Sequence, residues 1–215
     1  MKIAMVASEA APFVKTGGLG DVLQALPQAL SEIKNNEVSV FIPFYDRIKY
    51  SGKYDVEFLG YFDVPLAWRR EYVGLLRLKS RRKKLKIYFI DNEDYFQRKF
   101  TLCDGEGSLF ADNDERAIFF ARGVLETVKK LRWVPDVVHV HGWFSAIVPV
   151  YLRNTFADDP VFKNVKIVMS LYDDGFDGEL DAKFGQKIAS EGVEKKHTAL
   201  LEHPTYENLM KFVMN

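Results

Sequence analysis

The stretch KTGGLGDV, residues 15–22, decides the fold that this chain is expected to adopt. An apolar run, Ile3–Ser8, precedes it, and apolar residues with helical spacing follow it between residues 22 and 33. A strand, a glycine-rich turn and a helix in this order are typical of the first unit of an α/β fold. Because glycine lacks a Cβ atom, a ligand can approach the backbone closely at such a turn.

The start of the predicted helix is a candidate anion site. The first N–H groups of a helix lack partners within it and carry partial positive charge, and Lys15 adds a full charge beside them. Together these features predict a seat for a phosphate or pyrophosphate. The glycine spacing fits neither the dinucleotide fingerprint nor the P-loop, so the alternative of a glycine turn that binds nothing stays open.

Composition excludes several classes of function. Thirty basic and thirty acidic residues cancel, so the chain has no electrostatic footprint for nucleic acid or an anionic membrane. It has no run of about 18 apolar residues that would span a bilayer.

Cys103 is the single cysteine, which suits a reducing cytoplasm. No pattern of catalytic partner residues surrounds Cys103, so we expect a thiol without a catalytic role.

Five apolar runs alternate with helical patterns along the chain. They predict an α/β fold with a doubly wound, mostly parallel sheet of the Rossmann-like type, in a single domain of residues 1–215. Residues 54–84 are richer in strand-forming residues and predict a small antiparallel excursion. The five predicted parallel strands are Ile3–Ser8, Val38–Pro43, Ile87–Asp91, Val137–His141 and Ile167–Leu171.

Two helices have clear sequence patterns. The first should bury a stripe of apolar residues, and the second should begin at Asp112 with a capping box completed by Glu115. The acidic residues at this second helix start are expected to be caps and solvated positions. The predicted stripes are Val22, Ala25, Leu26, Ala29, Leu30 and Ile33 in the first helix, and Ala117, Phe120, Ala121, Val124, Leu125, Val128 and Leu131 in the second.

The glycine stretch, placed seven residues after an N-terminal strand, closely resembles the nucleotide-sugar loop of bacterial glycogen synthases and plant starch synthases. These glycosyltransferases transfer glucose from ADP-glucose to the non-reducing end of an α-1,4-glucan such as glycogen. The resemblance implies that Lys15 contacts the phosphates of ADP-glucose and that Gly17 and Gly18 line the cleft. It also implies that Asp21 lies toward the acceptor sugar. No cofactor is implied.

Tyr95 follows the end of the third predicted parallel strand, where α/β proteins place ligand contacts. The resemblance implies that a tyrosine in this region packs near the adenine or ribose, which makes Tyr95 a candidate contact. The alternative that Tyr95 only pins a loop stays open.

The fourth predicted strand ends in HVHGW, residues 139–143. Its two histidines point to one face of the strand, but no third ligand accompanies them, so a metal site is disfavoured. The resembled family has H-x-H-D-W here, which implies substrate contacts at His141 and Trp143. Gly142 stands where that family has an aspartate on which catalysis depends.

The last predicted strand ends in SLYDDGFDG, residues 170–178, where the family has T-I-H-N-x-x-Y-Q-G. Tyr172 replaces the histidine that holds the donor glucose. Asp173 replaces the asparagine and is a further candidate contact. These departures leave two hypotheses open, a synthase half and a catalytically impaired module that binds glucan or nucleotide sugar.

The resemblance runs from residue 1 to about residue 180. It implies the N-terminal, acceptor-side domain of an enzyme with two Rossmann-like domains. The C-terminal domain, which supplies most nucleotide contacts in that family, is not in this sequence. A partner domain of that kind, in the same or another chain, is therefore expected.

Overall fold

The computed structural model describes all 215 residues and places seven strands in one sheet. The strands are Lys2–Ala7 (β1), Glu37–Pro43 (β2), Val56–Leu66 (β3), Arg69–Leu78 (β4), Leu85–Asp91 (β5), Val137–His141 (β6) and Lys166–Ser170 (β7). The α-helices are Gly18–Glu32 (α1), Asp46–Lys49 (α2), Glu93–Phe96 (α3), Asn113–Lys130 (α4), Ile147–Arg153 (α5), Phe184–Ser190 (α6) and Tyr206–Met214 (α7). Two 3₁₀ helices span Trp143–Ser145 and Lys195–Glu202. None of these helices has the length and apolar character needed to cross a membrane.

The five predicted parallel strands are confirmed as neighbours, in the order β5-β2-β1-β6-β7. Ile3 in β1 pairs with Val38 on one side and Val137 on the other. The chain adds strands to one side of β1 first and to the other side after β5. Right-handed crossovers therefore place α1 on one face and α4 with α5 on the other, and α4 packs against α5.

The predicted antiparallel excursion is the long hairpin of β3 and β4. β4 also pairs antiparallel with β5, from Gly74 opposite Asp91 to Arg77 opposite Tyr88. The hairpin therefore extends the main sheet at the edge opposite β7.

Helix α1 buries a face that is shifted from the predicted one, although Val22, Leu26 and Leu30 of the predicted stripe are half-buried against the core. Its buried side chains are Leu19, Leu23, Pro27 and Ser31. These residues form one i, i+4 row, whereas Ala25 and Ala29 are exposed and Ile33 is 54% exposed. The prediction for Ala25, Ala29 and Ile33 is wrong because the helix is apolar over much of its circumference, so spacing alone does not select the core face.

Helix α4 begins without the predicted capping box. Arg98 forms a two-pronged ion pair with the Asp112 carboxylate, and no side chain caps the helix start. Asp114 is fully buried against Lys187 at 2.6 Å, and Glu115 lies 2.8 Å from the same ammonium. The interpretation of these acids as caps and solvated positions is wrong, because cations from distant segments bind the carboxylates instead.

Arg116 in α4 is fully buried, and its hydrogen bonds hold the segment of residues 95–101 against that helix. Its guanidinium donates to the carbonyls of Tyr95 and Thr101 and to Asn113 Oδ1, at 2.6–2.8 Å. Three rings surround it, with centroids at 5.3 Å for Phe110, 5.7 Å for Phe144 and 5.8 Å for Phe96. Burial lowers the pKa of Arg116 to about 10, so the group is still a cation at neutral pH.

We predict that Arg116→Met lowers the free energy of unfolding by about 3 kcal/mol or more, because three buried acceptors lose their donor and methionine offers no replacement. Urea denaturation followed by circular dichroism measures this change. Arg81→Met is the matched control, since Arg81 is exposed. A loss below about 1 kcal/mol for Arg116→Met would contradict the role assigned to the cation.

Candidate functional site

A cavity of 530 Å³ opens at the carboxyl edge of the parallel sheet. The loops after β1, β5, β6 and β7 meet there, and the order of the strands reverses between β1 and β6. Ligands of open α/β sheets bind in the crevice at this switch point. The lining residues are Ser8, Glu9, residues 16–19, Arg47, residues 100–104, Leu109, Trp143 and residues 172–176.

Glu9, which follows β1, organises the glycine loop. Its carboxylate accepts hydrogen bonds from the backbone N–H groups of Thr16 at 2.7 Å, Gly17 at 3.2 Å and Gly20 at 2.8 Å, and from the Thr16 hydroxyl. Glu9 is 4% exposed. An internal carboxylate therefore already binds the N–H groups of Gly17 and Gly20, and the phosphate seat at this helix start stays a prediction.

The three glycines of the loop have different roles. A Cβ atom on Gly20 would lie 3.0 Å from Glu9 Oε1 and 3.1 Å from Lys15 Cβ, so Gly20 permits the close approach of Glu9. A Cβ atom on Gly17 or Gly18 would meet nothing within 4 Å. These two positions therefore leave the cavity open above the loop.

Lys15 and Asp21 form an ion pair at 2.7 Å, with side chains 51% and 58% exposed. Neither residue lines the cavity. The charge of Lys15 is thus available to solvent beside the loop, and Asp21 partly offsets it.

The two histidines of β6 lie on one face, with ring centroids 4.0 Å apart. His139 Nε2 lies 2.8 Å from Ser170 Oγ, and His141 Nδ1 lies 2.7 Å from the Tyr172 hydroxyl. Burial lowers the pKa of His141 to about 3, so its ring is neutral at physiological pH. No group of three or more His, Cys, Asp or Glu side chains is arranged to hold a metal ion.

His141 does not reach the cavity. It is fully buried, and Tyr172, which does line the cavity, is hydrogen-bonded to it. A substrate contact at His141 stays a prediction, and in this structure Tyr172 lies between His141 and the cavity.

Trp143 and the loop after β7 form one wall of the cavity. The Trp143 N–H donates to Asp174 Oδ2 at 3.0 Å, and the Trp143 ring packs edge-on against Phe176 at 4.8 Å. Asp173 is exposed in the same wall. This wall therefore combines an apolar surface with carboxylates.

Tyr95 lies outside the cavity and is 1% exposed. Its ring packs 4.9 Å from Phe119, and its hydroxyl is held by Arg69 and Glu115. A nucleotide contact at Tyr95 stays a prediction, and the alternative that it anchors a loop agrees with these contacts.

Of the eight predicted contact residues, four line the cavity and four do not, and Tyr172, which replaces the family histidine, also lines it. Gly17, Gly18, Trp143, Tyr172 and Asp173 line the cavity, whereas Lys15, Asp21, Tyr95 and His141 do not. Gly142 lies between them, at the end of β6, with a φ of +75°.

Sequence reasoning missed Glu9, Asp174 and the segment of residues 100–109. Glu9 offered one signal, since an acid directly after the strand end lies where parallel strands place functional groups. Asp174 offered another, as a second acid beside Asp173. The segment of residues 100–109 carried no pattern that places it at the cavity.

Comparison with known proteins identifies related sequences along the whole chain. The family model described as starch synthase catalytic domain matches residues 2–215. The glycogen synthase of Streptococcus mutans is 36% identical over 213 residues, covering 98% of this chain and 42% of that protein. The glycogen synthase of Clostridium perfringens is 35% identical over 215 residues, covering 100% of this chain and 43% of that protein. The chain spans less than half the length of these curated relatives.

A solved structure shares the fold. The catalytic domain of starch synthase IV from Arabidopsis thaliana, bound to ADP and acarbose, superposes with a TM-score of 0.71 at 22% identity. The match covers 90% of this chain and 38% of the plant chain. At this identity the likeness establishes the Rossmann-like fold alone.

We predict that Gly20→Ala lowers the free energy of unfolding by about 1–3 kcal/mol, because the added methyl group displaces a carboxylate that several donors hold in place. Gly18→Ala in the same loop is the matched control. Its methyl group meets nothing, so stability should stay constant or rise by up to about 1 kcal/mol. Equal effects of the two variants in urea denaturation would contradict the packing assigned to Gly20.

Cys103 lines the cavity, and burial together with Asp104 raises the pKa of its thiol above the usual value. Since the thiolate is the nucleophile, we predict that alkylation by iodoacetamide at pH 7 is slower in the folded chain than in the urea-unfolded chain. The folded rate should still be rising at a pH where the unfolded rate has levelled off. Coincident pH profiles would contradict the raised pKa.

Proposed function

This chain belongs to the starch synthase catalytic domain family, and we propose that it is the acceptor-side half of a glycogen synthase. In this proposal the complete enzyme transfers glucose from ADP-glucose to an α-1,4-glucan during glycogen synthesis. The observation that carries the proposal is the family match over residues 2–215, together with relatives named glycogen synthase at 35–36% identity.

The charges of the cavity support glucan binding on this side. Glu9, Asp104, Asp173 and Asp174 line it, and Arg47 is the one basic residue of the lining. Such a wall repels a diphosphate and suits a neutral ligand whose hydroxyl groups donate to carboxylates. Trp143 and Phe176 add apolar surface for the faces of sugar rings.

Lys15, beside the glycine loop, is the positive charge that we assign to the diphosphate of the nucleotide sugar. When the glycosidic bond to the diphosphate breaks, negative charge grows on the leaving group, and a cation placed beside it stabilises the transition state. Because Glu9 already binds the N–H groups of Gly17 and Gly20, this half offers the phosphates few donors. The proposal therefore includes a C-terminal Rossmann-like domain, in the same or another chain, that supplies the remaining nucleotide contacts.

The proposal needs no metal or cofactor, since Lys15 and the second domain stabilise the negative charge that develops on the leaving group. A cytoplasmic location is part of it, because a chain with one cysteine forms no internal disulfide and suits a reducing compartment.

Gly142 and Tyr172 favour a second candidate function, a binding module without catalysis. Glycine provides no charged group at the end of β6, and the Tyr172 hydroxyl is held by His141. The module would bind glucan or nucleotide sugar through the same cavity and transfer nothing.

We predict that residues 1–215 alone release no ADP from ADP-glucose in the presence of glycogen above the rate of the Lys15→Ala variant. One wall of a cleft does not hold a glycosyl transition state from several sides, and each missing electrostatic contact costs about 3 kcal/mol, or roughly a hundredfold in rate. A coupled assay for ADP measures this. Turnover that disappears in Lys15→Ala would contradict the prediction and make this half an enzyme by itself.

A chimera separates the two candidate functions. The chain is joined to the C-terminal part of the Streptococcus mutans relative, and ADP release is measured again. Activity that depends on Lys15 supports the synthase half. Binding of maltoheptaose without activity in a folded chimera supports the binding module.

A further inference from the structure

Gly142 has no room for a side chain. Its φ of +75° and its position directly after β6 turn the chain toward Trp143. A Cβ atom there would lie 2.5 Å from Asp174 Oδ2 and 2.6 Å from Leu19 Cδ1. The carboxylate of Asp174 therefore occupies the space into which a side chain at position 142 would extend.

Asp174 is held firmly in this place. Its Oδ2 accepts the Trp143 N–H at 3.0 Å, and the Tyr206 hydroxyl lies 3.3 Å from its Oδ1. Tyr206 is itself packed edge-on against Phe176 at 5.8 Å. A carboxylate accepts about four hydrogen bonds, so these two contacts leave part of its capacity unused, and Asp174 lines the cavity.

The surroundings of Asp174 favour a further hydrogen bond from a ligand. Burial raises the pKa of its carboxyl, with the Trp143 N–H acting in the opposite direction. A partly desolvated carboxylate gains more from a donor than an exposed one does. Donors of sugar hydroxyl type suit the site, whereas a phosphate beside Asp174 and Asp173 would be repelled.

We propose that Asp174 is a substrate-contacting carboxylate that accepts hydrogen bonds from glucan hydroxyls and supplies, from the loop after β7, the acid that position 142 lacks. The inference rests on the proposed function, since it concerns the same cavity and the same glucan. It links the glycine at 142, a departure from the resembled pattern, to an acid at 174, a position that this pattern leaves open. The carboxylate of Asp174 lies beside position 142, and it comes from the loop after β7, the strand next to β6.

The first test measures the binding of maltoheptaose by isothermal titration calorimetry. Asp174→Asn keeps the shape of the side chain and removes its charge, so the dissociation constant should rise about tenfold or more. Asp177→Asn is the matched control, because Asp177 is exposed in the same loop and does not line the cavity. Its dissociation constant should match that of the wild type.

The second test exchanges the two positions. Gly142→Asp alone should lower both the melting temperature and the affinity for maltoheptaose, because its side chain collides with Asp174 and Leu19. The double variant with Gly142→Asp and Asp174→Gly should recover part of both quantities relative to Gly142→Asp, because it removes the contact with Asp174 and leaves the contact with Leu19 and the positive φ. Recovery of the melting temperature reports the shared space, and recovery of affinity reports the shared role.

The outcomes separate this inference from the proposed function. A wild-type chain that binds no maltoheptaose overturns the proposed function and this inference with it. A wild-type chain that binds, together with Asp174→Asn at unchanged affinity, overturns this inference alone. A double variant with no better affinity than Gly142→Asp overturns the exchange of roles between the two positions.

Discussion

The hydrogen bonds between the Glu9 carboxylate and the glycine loop are the constraint on which the site depends. A loop that enters a helix carries N–H groups that the helix does not satisfy, and Glu9 satisfies them from the end of β1. This arrangement ties the first strand to the first helix over a short connection. It also makes Gly20 necessary and places a negative charge at the floor of the cavity.

That internal carboxylate divides the site by charge. Inside the cavity acids predominate, while Lys15 lies outside it, paired with Asp21 at the exposed side of the loop. A neutral, hydroxyl-rich ligand is therefore favoured inside the cavity, and an anionic ligand is favoured beside Lys15. In the proposed synthase half, this separation keeps the glucan against the wall of Trp143 and Asp174 and leaves the diphosphate to Lys15 and the second domain.

The sequence was sufficient for the parallel sheet because each strand is a short apolar run bounded by polar residues, a signal contained within the strand itself. Features decided by distant partners could not be predicted in this way. Asp112 binds Arg98 instead of capping α4, and Lys187 reaches Asp114 across 73 residues. Tyr95 and His141 lie near strand ends, as functional residues do, yet the core covers both. Position along a strand predicts which residues approach the edge of a sheet, but only packing decides which of them face the cavity.

The steric relation between Gly142 and Asp174 restricts the order in which these positions can change during evolution. While Asp174 is present, any larger residue at 142 collides with it and must also adopt an unfavourable φ. Loss of Asp174 alone leaves the end of β6 without a carboxylate from either position. A change from this state to a side chain at 142 therefore passes through an intermediate that is either strained or without its acid. Among related sequences, a side chain at position 142 should therefore occur only where position 174 carries a residue smaller than aspartate.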